Sequence, residues 1–213
     1  MMHLYDFLPS GNGYKVRLLL HKLGIPFELT ELDISKGETR TPEFLEKNRN
    51  GRIPTLELED GTCLAESNAI LCYLAEGTEF WPADRLARAR TLQWLFFEQY
   101  SHEPYIAVVR AWKHVLGGMT ELQQAQLPGK IKGGYQALDV MEQALDGRRF
   151  LVDDRFGLAD IALYAYTHVA DEGGFDLAKC PAIRAWLDRV AALPRHVPIT
   201  WRPGNVAAQK VAS

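Results

Sequence analysis

Two serines of this chain, each at the start of a predicted helix, are the residues best suited to catalysis or ligand binding. Ser10 lies in a turn-rich loop directly before one helical pattern, and Ser67 follows Glu66 at the start of a second. The N–H groups at a helix N-terminus bind anions, and serine at that place also serves as an ordinary helix cap. The two positions therefore predict either a pair of caps or a site for an anionic, polar ligand.

Other chemistries of serine, histidine and cysteine are not favoured by the local spacing. No G-x-S-x-G elbow surrounds Ser10, and no histidine or acid is spaced to complete a hydrolase triad. The six histidines show neither H-x-x-x-H nor H-E-x-x-H spacing, so a metal site is not expected. Cys63, Cys72 and Cys180 lack C-x-x-C spacing and lie in apolar runs, which favours reduced, buried thiols.

The elements that position Ser10 form a strand, helix, strand unit. We predict a strand over His3–Phe7, a helix that begins after Ser10, and a second strand over Phe27–Leu32. Strands joined by a crossover helix pair in parallel, so these elements form a βαβ unit. Lys15 and Lys22 are expected on the solvent side of the helix, whose apolar positions are Val16, Leu19, Leu20 and Leu23.

A short helix and a β-hairpin position Ser67. Thr41 is expected to cap a helix whose first residue is Pro42. Strands are predicted over Thr55–Glu59 and Thr62–Ala65, joined by a two-residue Asp-Gly turn. Ser67 is the expected N-cap of the helix that follows. Together with the βαβ unit, the hairpin completes a four-stranded mixed sheet.

The pattern changes between Gly77 and Asp84, where glycine, proline and an aromatic pair interrupt the periodicity. The predicted organisation is an α/β domain over 1–78, a linker over 79–84, an all-helical domain over 85–205 and a loose tail over 206–213. Pro104 is expected to kink the first long helix of the second domain, and the pattern leaves the helix boundary around Pro128 open. Asp160 is expected to reach back to the N–H of Gly157, the predicted N-cap of a later helix.

The composition is that of a globular protein without a strong charge bias. The 213 residues are 47% apolar and carry a net charge of −3, so neither nucleic acid nor an anionic membrane surface is the expected partner. No run reaches the roughly 18 apolar residues of a membrane span, and the N-terminus lacks the pattern of a signal peptide. A cytoplasmic protein is expected.

Four local matches, in this order and spacing, resemble the cytosolic glutathione transferases, in particular the bacterial, serine-type, theta-like members. The matching residues are Ser10 before Tyr14-Lys15-Val16-Arg17, the Ile53-Pro54 pair, Glu66-Ser67, and the run Gly157–Ile161. The resemblance covers nearly the whole chain. It implies an α/β thioredoxin-like N-terminal domain with a mixed four-stranded sheet, followed by an all-α helical-bundle domain.

The resemblance also implies that glutathione is the co-substrate and assigns residues to its thiol and γ-glutamyl ends. Ser10 would donate a hydrogen bond to the thiolate, with Asn12 also near the sulfur and Tyr14 as a second-choice donor. Glu66 would bind the ammonium group, and the Ser67 hydroxyl with the helix N–H groups would bind the α-carboxylate. A loop-capping role for Ser10 is the alternative.

The middle and the glycyl end of glutathione have separate candidates. The resemblance implies that Ile53 pairs its backbone with that of the ligand and that the Ile53-Pro54 bond is cis. Lys36 and Arg52 are candidates for the glycyl carboxylate, with solvated loop cations as the alternative. Thr39 stands where serine-type relatives often have a histidine for that carboxylate, and Arg49 replaces a common Asn-Pro.

The second substrate is expected to lie over the sulfur against an apolar wall. The candidate wall residues are Phe7, Tyr105, Val108, Val109 and Trp112, for each of which core packing is the alternative. Relatives form two-fold dimers through the first long helix, so a homodimer is expected, in which Gln99 and His102 could reach the partner's site.

The resemblance leaves three functions open. The favoured one is a glutathione transferase that conjugates the thiolate to hydrophobic electrophiles, in the manner of a detoxification enzyme. A second is a glutathione-dependent peroxidase, dehalogenase or isomerase, because the same thiolate serves each. A third is a non-enzymatic binding module. The joint retention of Ser10, Ile53-Pro54 and Glu66-Ser67 favours an enzyme.

Overall fold

The computed structural model describes residues 1–204, and the predicted loose tail, 206–213, lies outside the described residues. The chain divides into two compact units, one formed by Met1–Ile70 with the segment from Val197, the other by Leu71–His196. The first is an α/β unit and the second is helical, as the sequence predicts. The predicted residue bounds of the domains and of the linker stay predictions.

A mixed sheet flanked by helices makes up the first unit. Its elements are β1 (Met2–Asp6), α1 (Gly11–Leu23), β2 (Phe27–Glu31), α2 (Pro42–Lys47), β3 (Thr55–Glu57), β4 (Cys63–Ala65) and the start of α3 (Ser67–Ala75). The strand order is β2-β1-β3-β4, with β1 parallel to β2 and the other neighbours antiparallel. The predicted thioredoxin-like arrangement is confirmed.

Helix α1 is bounded at both ends by its own sequence. Ser10 caps the N-terminus, because its Oγ accepts a hydrogen bond from the Gly13 N–H at 3.4 Å. Gly24 ends the helix with φ at 70°, a left-handed conformation that suits glycine. The fully buried apolar side chains of the helix include Val16, Leu18, Leu19 and Leu20.

The segment after Val197 is hydrogen-bonded to α1, which no local sequence pattern indicates. The Tyr14 hydroxyl donates to the Val197 carbonyl at 2.7 Å. The Arg17 guanidinium donates to the carbonyls of Ile199 at 2.7 Å and Trp201 at 2.9 Å. This segment therefore fastens the end of the described chain to the helix that Ser10 begins.

The prediction that Lys15 and Lys22 face solvent is wrong. Lys15 is fully buried and Lys22 is 9% exposed. Tyr14 and Arg17, on other sides of the helix, are also fully buried. Helix α1 is therefore enclosed well beyond its apolar stripe, and polar positions that periodicity assigns to solvent lie inside the protein.

The hairpin that leads to α3 is shorter than predicted. Each strand has three residues, and the chain reverses where the Leu58 N–H donates to the Thr62 carbonyl at 2.8 Å. Helix α3 then starts at Ser67, and its buried side includes Ile70 and Leu74, whereas Tyr73 is 51% exposed.

The second unit is a bundle of helices. They are α4 (Arg85–Phe97), α5 (Glu103–Arg110), α6 (Glu121–Leu145), α7 (Leu158–Thr167) and α8 (Pro181–Ala191). A π-helical turn, Glu98–His102, joins α4 to α5, and Glu103 N–H donates to the Glu98 carbonyl in it. Since a proline ring clashes with the carbonyl four residues earlier, this wider turn accommodates Pro104.

Helix α6 runs unbroken through Pro128, although the sequence left that boundary open. Two adjacent glycines farther along the helix permit close packing. A Cβ at Gly133 would lie 2.3 Å from the Tyr105 ring, and one at Gly134 would lie 2.3 Å from the Phe175 ring. The two glycines therefore leave the space in which these two aromatic rings pack against α6.

The start of α7 is fixed by the buried carboxylate of Asp160. It accepts from the N–H groups of Gly157 at 3.1 Å and Leu151 at 3.1 Å, and from the Trp186 indole at 2.9 Å. Burial raises the pKa of Asp160 to about 7, while these donors act in the opposite direction. The predicted reach of Asp160 to the Gly157 N–H is thus present, together with two longer-range bonds.

Candidate active site

The strand register brings the candidate segments of the first unit to one end of the sheet. Thr55, the first residue of β3, pairs with Tyr5 on one side and with Ala65 on the other. Ala65 is the last residue of β4, and Tyr5 is the last but one of β1. The segments that adjoin this end are the loop Phe7–Ser10, the pair Ile53-Pro54 and the pair Glu66-Ser67. Three stretches far apart in sequence are therefore neighbours.

Ser10 has the capping role that was the alternative for it, and this role leaves its hydroxyl proton in place. It is half-buried, has extended backbone angles (φ −71°, ψ 126°) and caps α1 through its Oγ. A capping hydroxyl uses an oxygen lone pair, so its own O–H proton is still available for donation to a ligand. The cap fixes the position of the hydroxyl, and the helix N-terminus beside it favours negative charge.

Tyr14 is not a second donor for the sulfur. Its ring is fully buried, and its hydroxyl donates to the Val197 carbonyl at 2.7 Å. A phenol has one proton to donate. The second-choice role predicted for Tyr14 is therefore wrong, and this tyrosine holds the segment after Val197.

The start of α3 differs in one position from the prediction. The carbonyl of Glu66 accepts the first helical hydrogen bond, from Ile70 N at 2.9 Å, and Ser67 is already the first helical residue. Ser67 is therefore not the N-cap. Glu66 has φ at 67°, an unusual conformation for a residue with a Cβ, and its side chain is exposed. The turn at Glu66 places Ser67 at the helix opening, where backbone N–H groups lack helical partners.

A buried lysine, Lys15, connects the starts of α1 and α3. Its Nζ donates to Asn12 Oδ1 at 2.8 Å, to Ser67 Oγ at 3.3 Å and to Asn68 Oδ1 at 3.5 Å. The Ser67 hydroxyl also donates to Asn12 Oδ1 at 3.3 Å. Sequence reasoning missed this residue, although the i, i+3 spacing of Asn12 and Lys15 is a weak signal for their contact.

The Ile53-Pro54 peptide bond is cis, as the resemblance implies. Pro54 is buried and Ile53 is half-buried. Asn48 holds the preceding loop, because its Nδ2 donates to the Arg52 carbonyl at 2.8 Å and to Thr55 Oγ1 at 3.2 Å.

The candidates for the glycyl carboxylate are the least constrained residues. Lys36 is exposed and pairs with Asp33 at 3.1 Å, in a short 3₁₀ turn. Hydrogen bonds from Ser35 and Lys36 lower the pKa of Asp33 to about 2. The Arg52 side chain is exposed, whereas Thr39 is 5% exposed.

The predicted wall residues fall into different environments within their own units. Phe7, in the first unit, and Val108 and Trp112, in the second, are half-buried. Tyr105 is half-buried as well and packs on Gly133, whereas Val109 is fully buried and is a core residue. The prediction that His102 reaches the partner subunit's site is wrong, because its side chain is fully buried in its own chain and its Nε2 lies 2.9 Å from Thr167 Oγ1.

The remaining observations concern metal, membrane and thiols. Within residues 1–204 no cluster of three or more His, Cys, Asp or Glu side chains could hold a metal ion. Over the same residues, no helix has both the length and the apolar character to cross a membrane. Cys63, Cys72 and Cys180 are free thiols, but they are half-buried rather than in the core.

Family models match both halves of the chain. The model of the glutathione S-transferase N-terminal domain matches residues 1–76, and that of the C-terminal domain matches residues 106–194. Among solved structures, a glutathione S-transferase from Pseudomonas fluorescens is 54% identical, with a TM-score of 0.90, over 93% of this chain and 98% of that one. Ure2p in complex with glutathione is 26% identical, with a TM-score of 0.80, over 91% of each chain.

Curated relatives have several activities. The disulfide-bond oxidoreductase YfcG of Escherichia coli is 30% identical, over 91% of this chain and 92% of the relative. The maleylacetoacetate isomerase of Pseudomonas aeruginosa is also 30% identical, with the same coverage of both chains. The similarity therefore extends over both units, while the chemistry differs among the relatives.

Proposed function

Because this chain belongs to the glutathione S-transferase family, we propose that it conjugates the thiolate of glutathione to hydrophobic electrophiles. The observation that carries this function is the meeting, at one end of the sheet, of Ser10, the Ile53-Pro54 pair and Glu66-Ser67. Each segment offers a different group to glutathione: a hydroxyl, the backbone N–H and C=O of Ile53, and a helix start that follows a carboxylate.

The γ-glutamyl end of glutathione would lie at the start of α3. The exposed carboxylate of Glu66 suits an ammonium group, and the Ser67 hydroxyl with the N–H groups of the first turn suits a carboxylate. The backbone of Ile53 would add the tripeptide as a short extra strand. Lys36 and Arg52 remain the candidates for the glycyl carboxylate, and their exposure makes their contribution small.

Ser10 and Asn12 would stabilise the thiolate from the first turn of α1. Lowering the pKa of a thiol from about 8.5 by about two units needs about 2.7 kcal/mol of preference for the charged form. A hydrogen bond to a charged group supplies about 1.5–3 kcal/mol, and a helix N-terminus supplies about 0.3–1 kcal/mol. The two sources together are sufficient.

The electrophile would meet apolar side chains, of which Phe7, Tyr105, Val108 and Trp112 are the proposed ones. A homodimer is proposed as well, supported by apolar side chains that α4 and the turn after it leave exposed. These are Leu86, Leu92, Phe96 and Tyr100, exposed by 57%, 37%, 65% and 82%. A cytoplasmic location and the lack of nucleic-acid partners stay predictions.

Other glutathione chemistry is the second candidate, favoured by the oxidoreductase and isomerase among the relatives. The same thiolate would attack a disulfide, a peroxide, a halogenated carbon or an unsaturated acid. A binding module without catalysis is the third candidate, and the retention of the three segments speaks against it.

A substrate panel separates these functions. The purified protein and its Ser10→Ala variant would be assayed with glutathione and four probes: 1-chloro-2,4-dinitrobenzene, cumene hydroperoxide, 2-hydroxyethyl disulfide and maleylacetoacetate. We expect conjugation of the aryl halide to exceed the other turnovers and to fall at least tenfold in Ser10→Ala. Ser35→Ala, which changes an exposed serine of the same unit, is the control. Turnover of another probe alone assigns the chain to that chemistry.

A further inference from the structure

Lys15 lies inside the protein, whereas a lysine on a helix usually faces solvent. It is fully buried, as are the neighbouring helix residues Tyr14 and Val16. A buried ammonium group carries a large desolvation cost unless nearby groups compensate for it. An apolar side chain of similar length would fill the same space without that cost. The presence of a lysine therefore calls for an explanation in its contacts.

Those contacts join the two helix starts that the proposed function assigns to glutathione. Nζ lies 2.8 Å from Asn12 Oδ1, on α1, and 3.3 Å from Ser67 Oγ, at the opening of α3. A third oxygen, Asn68 Oδ1, lies at 3.5 Å in the same first turn of α3. These three oxygens belong to neutral side chains, and they place the ammonium group of Lys15 within hydrogen-bonding distance of both helix starts.

We infer that Lys15 is a positioning residue of the glutathione site, which polarises Ser67 toward the α-carboxylate and orients Asn12 toward the thiolate. This role rests on the proposed function and adds a residue to it. Lys15 itself does not touch the ligand, because its side chain is fully buried. It acts through the two groups that its ammonium contacts.

The Ser67 hydroxyl has one proton to donate, and its hydrogen-bond acceptor changes when a carboxylate binds. Without ligand, the O–H donates to Asn12 Oδ1 at 3.3 Å, while Oγ accepts from Lys15. An arriving carboxylate takes the O–H as its donor. Lys15 continues to donate both to Ser67 Oγ and to Asn12 Oδ1, so neither oxygen is left without a donor. A hydroxyl that accepts from an ammonium group is also a stronger donor, because hydrogen bonds in a chain polarise one another.

The effect on Asn12 is one of orientation. A primary amide has an acceptor edge and a donor edge, and an ammonium group can bond only to the acceptor edge. Because Asn12 Oδ1 faces Lys15 at 2.8 Å, its N–H edge turns away from the lysine. An acceptor such as a thiolate binds to that N–H edge. Without the lysine, the amide could rotate and present its oxygen to the sulfur.

A double-mutant cycle between the protein and the ligand tests this role. Glutathione and 4-aminobutyryl-cysteinylglycine, which is glutathione without its α-carboxylate, would be titrated by calorimetry into the wild type and Lys15→Met. We expect the wild type to bind glutathione more tightly than the analogue. In Lys15→Met, the ratio of the two affinities should be lower by a factor of at least about five, the lower end of measured couplings between sites. The pKa of the bound thiol, read from thiolate absorbance, is expected to rise in Lys15→Met.

Two further variants control for charge and for folding. Lys22→Met removes the same charge about 10 Å farther along α1, by the 1.5 Å rise per residue, and is expected to keep the preference. If Lys15→Met does not fold, Lys15→Gln replaces it, since glutamine keeps N–H donors for Asn12 and Ser67 but no charge. Equal preferences in the wild type and the Lys15 variant overturn the role of Lys15 while leaving the proposed function intact. A wild type that binds no glutathione overturns both.

Discussion

The carboxylate of Asp6 lies directly against the backbone of Gly13, so closely that a Cβ at residue 13 would be 1.6 Å from Asp6 Oδ1. The same carboxylate forms a fully buried ion pair with Arg17, at 2.8 Å. Gly13 N–H is the donor that Ser10 Oγ accepts. The end of β1 and the capped start of α1 are therefore in direct contact at this glycine.

Gly13→Ala is expected to destabilise the protein, because the Asp6 carboxylate cannot move without breaking the buried pair with Arg17. Overpacking of this kind costs about 1–3 kcal/mol, and chemical denaturation would measure it. Glutathione-dependent activity should fall as well, since the start of α1 must shift. Gly129→Ala is the matched control. Its Cβ would meet no atom within 4 Å in the exposed part of α6, so it should stabilise the protein by up to about 1 kcal/mol. Equal stability of Gly13→Ala and the wild type would contradict the packing described.

Tyr14→Phe separates structure from catalysis at a residue next to the site. The variant loses the 2.7 Å hydrogen bond to the buried Val197 carbonyl. We expect the free energy of unfolding to fall by about 1–3 kcal/mol, as measured by denaturation with urea. The pKa of glutathione's thiol in the complex should not change, since the proton of this hydroxyl is donated to the Val197 carbonyl. A rise in that pKa would show that Tyr14 takes part in stabilising the thiolate.

Asp160→Ala is expected to be among the most destabilising substitutions in the second unit. It leaves three donors without their acceptor, namely the N–H groups of Leu151 and Gly157 and the indole of Trp186. Each unsatisfied buried donor costs about 1–3 kcal/mol, so the protein should unfold well below the wild-type midpoint in thermal melts. Asp139→Ala changes an exposed carboxylate that accepts from Gln143, and should shift stability by no more than about 0.5 kcal/mol. Similar melting of the two variants would contradict this account of Asp160.

His168 makes stability depend on pH in a definite direction. Burial lowers its pKa to about 4, whereas the backbone hydrogen bond to Tyr164 opposes that shift. The unfolded chain, with a histidine pKa of about 6.5, binds the proton first as pH falls. Stability from neutral His168 is therefore complete above about pH 6.5 and is lost toward pH 4, by up to about 3 kcal/mol.

Denaturation at several pH values, on the wild type and His168→Phe, measures this dependence. Phenylalanine retains an aromatic ring to stack on Tyr164, where the two rings are now 4.6 Å apart. We expect the stability of the wild type to fall more steeply between pH 6.5 and pH 4 than that of the variant. Parallel pH profiles would show that His168 is not the source.

Much of the first unit follows from sequence, because its signals are local. The Ser10 cap, the Gly24 stop and the Thr41-Pro42 helix start each depend on a few adjacent residues, and all three are present. The cis bond before Pro54 follows from the resemblance alone, since a local sequence favours trans.

The features that the sequence does not predict are contacts between residues far apart in the chain. Periodicity places Lys15 on a solvent face, but the enclosure of α1 on several sides buries it. The Val197 carbonyl that accepts from Tyr14 lies far along the chain, and no local pattern records that contact. Tertiary packing also explains Gly133 and Gly134 of α6, which contact the rings of Tyr105 and Phe175.

The central claim is that Ser10 stabilises the thiolate of bound glutathione. Its most direct measurement is a titration of thiolate absorbance in the glutathione complexes of the wild type, Ser10→Ala and the control Ser35→Ala, each at a saturation verified by calorimetry. The account predicts a thiol pKa near neutral in the wild type and in Ser35→Ala. In Ser10→Ala the thiol pKa should be at least about one unit higher, because the variant loses a hydrogen bond to the charged thiolate. The same thiol pKa in all three complexes would contradict it.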